Sequence, residues 1–238
     1  MDVKEHELLG GEAERHWYYR GKAEALRCYL PTPGPRNILD VGAGSGIFSR
    51  SLLRTTAAES ALCVDPGYRN DWDEEVNGKP LRFRRGCGST DADLILLMDV
   101  LEHVDDDAGL LAEYRDKAPR ASKFMITVPA FQFLWSRHDV FLEHKRRYNL
   151  PELEQLVARA GLRCERSSYY FGFVLPLAAS VRLVGRLFGQ DRTVARSHLK
   201  RHTPFVNALL RGLCAAELPV LTINRLAGLS VFCLCSKP

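Results

Sequence analysis

Apolar residues in this chain fall into short runs separated by polar, glycine-rich or mixed segments. Ile38-Leu39-Asp40-Val41, Ser60 to Val64, Leu81 to Arg85, Asp93 to Met98 and Lys123 to Val128 each read as a strand. The nearly uncharged runs among them suit strands covered on both faces. Leu162 to Tyr170 and Leu229 to Ser236 give a sixth and a seventh. Between them, helical spacing appears over Glu12 to Leu30, Ile47 to Arg54, Asp105 to Lys117 and Leu150 to Ala160. Pro31 stops the first of these, and Gly161 ends the last. Tyr68 to Lys79 carries Asp71, Asp73, Glu74 and Glu75 and reads as a solvated loop or short irregular helix.

The strand over 38–41 runs into Gly42, Gly44 and Gly46, and a helix follows at once. Strand, glycine turn and helix bring free backbone N–H groups to a strand's carboxyl end, where a nucleoside-bearing cofactor fits. A dinucleotide fingerprint needs its third glycine at position 47, which is Ile47. A phosphate-binding loop needs Gly-Lys-Ser/Thr, which is absent. Asp65 ends the second strand, about 20 residues beyond the glycines, where an acid can accept bonds from ribose hydroxyls. Gly86 to Asp91 after the third strand, with Cys87 and Ser89, reads as a turn.

Composition changes this picture little. With 238 residues, 46% hydrophobic and 26% charged, the chain is an ordinary globular one of one domain or one domain plus an insertion. A net charge of +4 does not by itself argue for nucleic acid. Seven cysteines without a Cys-x-x-Cys pair argue against a zinc site or disulfide framework and for a reducing cytosol. The charged N-terminus lacks an apolar signal core.

Three further stretches carry candidate chemistry. Trp17, Tyr18, Tyr19, Arg20 and Lys22 make the first helix aromatic and basic, suited to packing or to a ligand. Ala130 to Tyr148 follows a strand's carboxyl end and mixes aromatics with His138, His144 and Lys145-Arg146-Arg147. That composition suits a substrate lid. Either histidine is a candidate general base for a hydroxyl acceptor, or both hold loop backbone. A set of His138, Asp139 and His144 lacks a clear further ligand, so no metal site is expected. Asp105, Asp106 and Asp107 suit the start of their helix.

The third stretch, 171–225, separates the last two strands. Phe171 to Leu187 and Phe205 to Glu217 read as apolar helices, with Arg182, Arg186, Arg192, Arg196, Lys200, Arg201 and Arg211 set against Asp191. The uncharged run Tyr169 to Val181 is shorter than the roughly 20 residues a bilayer needs. A cap on the site, a dimer face, a surface for a lipid-like substrate and a membrane-surface element all fit, the first two best.

Residues 38–54, 62–65, 93–104 and 123–130 resemble class I S-adenosylmethionine-dependent methyltransferases. Leu39 to Gly46 looks like their first motif, and Asp99-Val100-Leu101-Glu102-His103-Val104 like the segment after their fourth strand. Pro129 to Tyr148 is similar to a loop of a bacterial type 11/12-like subgroup. The resemblance implies an α/β fold: a seven-stranded Rossmann-like sheet with helices on both faces, the last strand antiparallel beside the fifth. Residues 1–35 would cover the cofactor pocket, 36–170 with 226–238 would form the core, and 171–225 would be the insertion. It implies S-adenosylmethionine, with S-adenosylhomocysteine as product, held by Asp40, Gly42, Gly44, Gly46, Asp65, Pro66, Asp99, Val100, Leu101, Trp17 and Arg20. It also implies that the turn with Cys87 and Ser89 lies near the base. His103 is expected to cap structure rather than react, and catalysis is assigned to His144 or His138.

The function expected is methyl transfer to a small-molecule or lipid-like acceptor, at a hydroxyl. The alternative is a non-catalytic cofactor-binding or regulatory partner. No nucleic-acid substrate is expected, because the Asn/Asp-Pro-Pro-Tyr/Phe motif and any RNA-binding module are missing. A cytoplasmic enzyme is expected, with a homodimer or a contact with the inner membrane face through 171–217 left open.

Overall fold

The structure is a computed structural model that describes residues 10–187 and 203–238. Arg192, Arg196, Lys200 and Arg201 of the basic stretch lie outside these residues. Eight strands form one sheet: β1 (Asn37–Val41), β2 (Ser60–Val64), β3 (Trp72–Val76), β4 (Lys79–Arg84), β5 (Leu94–Met98), β6 (Lys123–Pro129), β7 (Arg163–Tyr170) and β8 (Ser230–Ser236). Their order is β3-β4-β2-β1-β5-β6-β8-β7. The central pairs are parallel; β3 is antiparallel to β4, and β8 runs antiparallel between β6 and β7. All five residues of β5 are buried, as an apolar run in a covered parallel sheet requires.

The helices are α1 (Trp17–Tyr29), α2 (Ile47–Thr55), α3 (Asp107–Lys117), α4 (Arg137–Phe141), α5 (Leu150–Arg159), α6 (Leu175–Leu187) and α7 (Pro204–Glu217). Two separate clusters of buried side chains form the core. One holds Leu26, Phe48 and Leu52 with Leu96 and Phe232; the other holds Leu111, Leu153 and Leu156 with Ile95 and Ile126. Leu96 and Ile95 are neighbours on β5, so alternate side chains of one strand supply opposite faces. α1 begins at Trp17 rather than Glu12, because residues Gly10–Arg15 form a tighter 3-10 turn ended by the His16 cap.

β3 is the eighth strand, and it corrects the reading of Tyr68 to Lys79 as a loop. Asn77 and Gly78 sit at φ 53° and 75°, the left-handed pair that closes a two-residue hairpin. Trp72 stacks on Phe83 at 4.1 Å with 4° between the rings. The acidic run is an edge strand whose charges pair with arginines of α2 and β4: Glu74 with Arg50 at 2.6 Å and Asp73 with Arg84 at 2.6 Å. Charged side chains on an edge discourage pairing with other chains.

α7 lies against α1. Asn207 Oδ1 accepts from Trp17 N at 2.8 Å, and Cys214 packs beside Gly21. Glu217, fully buried, accepts from Gly172 N at 2.8 Å and Phe173 N at 3.2 Å, which ties the end of α7 to the end of β7. Pro204 to Ile223 is a 20-residue helical stretch with hydropathy 1.4, long and apolar enough to cross a membrane by length and composition.

Candidate functional site

The chain leaves β1 towards β2 on one side and reaches β5 on the other. The carboxyl ends of these strands therefore flank a crevice of the kind in which ligands bind open α/β sheets. Gly42, Gly44 and Gly46 there have φ of 63°, 53° and 68°. A Cβ on Gly42 would come within 2.8 Å of Val100 Cγ2, so the turn closes only without a side chain. Asp65 ends β2 beside this turn: Oδ2 accepts from Gly44 N at 3.2 Å, and Oδ1 from Gly67 N at 2.8 Å. Pro66 follows it, exposed. Tyr68, buried under the hairpin, donates its hydroxyl to Gly44 O at 2.6 Å.

Asp40 lies beneath the turn rather than in the crevice. It is 1% exposed, and its Oδ2 accepts from Ser49 Oγ at 2.8 Å, which anchors α2 to β1. Burial pushes its carboxyl up to about 6. A raised folded-state value favours the neutral form. That contribution to stability is full below the unfolded value near 4 and is lost as pH rises through about 6. We expect Asp40→Asn to match the wild type at pH 4 and to gain up to about 3 kcal/mol on it by pH 8. Urea denaturation across pH measures this; parallel curves for the two proteins would exclude the assignment.

Asp99 follows β5 in a left-handed conformation, φ 56°. Its carboxylate ties two elements to the end of β5: Lys22 Nζ and Tyr18 Oη (3.3 Å) from α1, and Thr127 Oγ1 (3.0 Å) from β6. Burial would raise its pKa, but the charge and hydrogen bond of Lys22 hold it below the usual carboxylate range. Lys22, which the sequence showed only as one of the basic residues of this helix, is fully buried. Phe131 and Phe171 also take left-handed backbone just beyond β6 and β7, at φ 59° and 63°. Such backbone costs energy in non-glycine residues and gathers at functional sites.

The remaining expected cofactor residues divide. Val100 caps Gly42, whereas Leu101 is fully buried in the core. Trp17 meets Phe171 edge-on at 5.6 Å, and its Nε1 is buried without a hydrogen bond. Ser45 Oγ, in the glycine turn, is buried without one as well. Arg20 is exposed and pairs with Glu24 on its own helix at 3.4 Å. A glycine turn closed to any side chain, an acceptor carboxylate and two unsatisfied buried donors fit a nucleoside-bearing cofactor.

Beside Asp99 lies a second group. Glu102 is completely buried, and neither carboxylate oxygen has a hydrogen-bond partner. Burial raises its pKa well above the ordinary value. The His103 and His144 rings meet edge-on at 4.8 Å, and His144 Nε2 is 4.0 Å from Glu102 Oε1. Burial, with His144 nearby, lowers His103 to about 4, so its ring is neutral at pH 7. His144 Nδ1 is 3.0 Å from Asp139 Oδ1.

Asp139 is fully buried and locked by Arg147 Nε at 2.6 Å and Nη2 at 3.0 Å, and by Ser136 N at 2.8 Å. Burial would raise its pKa, but the His144 bond and the Arg147 charge hold it well below the carboxylate range. An ionised carboxylate only accepts, so Nδ1 donates, and in that tautomer the ring's lone pair is on Nε2. His138 stands on α4 next to Asp139, and the structure does not bring it into this group. Nor does Asp139 join a metal set with His138, because its oxygens are turned to Arg147, Ser136 and His144.

Glu102 and His103 were legible as part of a motif, and His144 as a loop histidine. Their convergence was not. The signal available was an acid between Leu101 and His103 in an apolar segment.

A family description, "Methyltransferase domain", matches residues 14–167. The chain belongs to this methyltransferase family. No curated protein matches it by sequence. Solved structures match at the level of fold. An S-adenosylmethionine-dependent methyltransferase from Thermotoga maritima is 15% identical with a TM-score of 0.57, over 99% of this chain and 96% of that one. One from Archaeoglobus fulgidus is 16% identical with a TM-score of 0.56, over 99% and 98%. The [4+2]-cyclase SpnF is 13% identical with a TM-score of 0.55, over 92% and 80%. A cyclase among the matches means that the fold alone does not name the reaction.

Proposed function

We propose that the protein transfers a methyl group from S-adenosylmethionine to a hydroxyl oxygen of a small-molecule or lipid-like acceptor. Two groups beyond the carboxyl ends of the strands carry this reading. One is the glycine turn facing Asp65, against which Val100 packs; the other is the oriented His144 with Glu102 and His103, in the segment that continues from Val100. When bound, the cofactor supplies an electrophilic methyl group on a sulfonium.

The protein's part is position. Asp65 would accept from the ribose hydroxyls, and the glycine turn would let the backbone approach the amino-acid end. Asp99, fixed by Lys22 and Thr127, would line the methionine side. Rigid alignment of acceptor and methyl can supply several kcal/mol of the barrier. His144, turned by Asp139 so that Nε2 carries the lone pair, is the residue we assign to activating the acceptor oxygen. Exposed apolar side chains on and beside α6 and α7, among them Phe173, Leu177, Phe205 and Leu209, support an acceptor with an apolar portion.

Calorimetric titration with S-adenosylmethionine, S-adenosylhomocysteine and NAD tests the cofactor. Micromolar binding of the first two without NAD is expected. Asp65→Ala should weaken that binding by about 10- to 100-fold, the worth of one charge-assisted hydrogen-bond partner, with the fold intact. Unchanged affinity would remove Asp65 from the site. Binding with no turnover on hydroxylated and lipid-linked acceptors would favour the non-catalytic alternative.

A further inference from the structure

We propose that Glu102, His103 and His144 bind a divalent first-row cation of the manganese-to-zinc series. The first reason is the condition of Glu102. A carboxylate with no exposed surface and no hydrogen-bond partner on either oxygen is costly, and folded proteins almost always satisfy such a group. In its ionised form Glu102 offers only lone pairs, as does Nε2 of His144, so the two cannot satisfy each other, whereas a cation between them can.

The second reason is geometry. One ligand atom from each of Glu102, His103 and His144 lies within 4.8 Å of the others. Tetrahedral ligands bound to one ion at about 2.0–2.2 Å stand ~3.4 Å apart. The His144 Nε2 to Glu102 Oε1 separation of 4.0 Å is near this value. The widest pair needs to close by about 1 Å, through rotation of the two imidazole side chains. The two segments are also tied together, since Lys145 N donates to Glu102 O at 2.8 Å.

The third reason is the support behind His144. Ligating histidines almost always give their other ring N–H to a carboxylate or carbonyl. His144 gives Nδ1–H to Asp139, which Arg147 and Ser136 lock in turn. The arrangement holds Nε2 on the Glu102 side whether or not an ion is present. Two imidazoles and one carboxylate suit the manganese-to-zinc series better than magnesium or calcium, which prefer oxygen. Three protein ligands leave positions open to an oxygen of the acceptor. The inference deepens the proposed function and rests on it only for that last role; His144 then acts on the acceptor through the ion.

The test uses the full chain, stripped of metal with a chelator and titrated with cobalt(II) chloride while visible absorption is followed. One equivalent should bind with a d–d band of nitrogen and oxygen ligation and without the thiolate charge-transfer band that the seven cysteines would give. Glu102→Gln and His144→Ala should each weaken binding at least 10-fold, and Asp139→Asn about 10- to 100-fold through loss of orientation. S-adenosylhomocysteine titration of the same proteins checks the fold. Absence of the band, a thiolate spectrum, or affinity unaltered in both ligand variants overturns the site. Cobalt binding without cofactor binding overturns the functional reading and leaves the ion site standing. Should Glu102→Gln not fold, the wild-type spectrum alone still decides between thiolate and imidazole ligation.

Discussion

Lys22→Met is expected to cost the protein about 3–5 kcal/mol, because it leaves a charge without its partner rather than removing a contact. The Lys22 side chain has no exposed surface, and that of Asp99 only 19%. With Lys22 gone, Asp99 keeps Thr127 Oγ1 at 3.0 Å and Tyr18 Oη at 3.3 Å, two neutral donors where it had a cation. The loss should appear as a fall of roughly 10 °C in Tm for a chain of this size. Lys22→Met/Asp99→Asn should recover much of it, since removing both charges removes the desolvation penalty with the attraction. Denaturant melts of the single and double variants measure the difference. A single-variant change within about 0.5 kcal/mol, the range of ordinary surface substitutions, would mean that the pair is solvated and does not hold α1 over the strand ends.

Lys22 also marks the limit of what the chain discloses as text. It stands in α1 between Gly21 and Ala23, where a lysine in an amphipathic helix ordinarily meets water. Its burial depends on Asp99, 77 residues further on, and no local pattern relates the two. The strand runs behave differently. Leu94 to Met98 has no polar residue, so its burial on both faces follows from composition, and the parallel core could be read directly. The glycine turn was legible for a similar reason, since three positive φ values need three residues without Cβ.

Two features could have been read further than they were. Asn77-Gly78 between Val76 and Lys79 is a strong local hairpin signal, but the acidic run before it masked the strand. Asp40 stands in the first motif and reads as a ligand-side acid, yet its alternation along β1 turns it to Ser49 and α2. The site beside it was legible in parts. His144 was visible as a histidine in a loop beyond β6, and Glu102 as a motif residue. That one orphaned carboxylate meets two imidazoles is a property of how β5 and the loop over 130–148 fold together.

Asp139→Ala is the second substitution with a large expected effect, and it separates stability from chemistry. Asp139 is fully buried, and the Arg147 side chain is 4% exposed. Without the carboxylate, the guanidinium keeps only Ala130 O, at 2.9 Å, among its described acceptors. An uncompensated buried charge costs about 3–5 kcal/mol, while Asp139→Ala/Arg147→Met should be much closer to the wild type. The same change frees the Ser136 N–H that opens α4 and releases the His144 ring. Turnover should fall by about 100-fold or more at temperatures where the variant is folded, in line with the worth of a positioned acid–base or ligand group. Cofactor affinity should stay within about threefold, because Gly42, Gly44 and Asp65 follow β1 and β2, whereas Asp139 and Arg147 belong to the loop beyond β6. The loop over 130–148 then acts on the acceptor alone. A parallel collapse of cofactor affinity would instead make that loop a wall of the cofactor pocket, and His144 would lose its separate assignment.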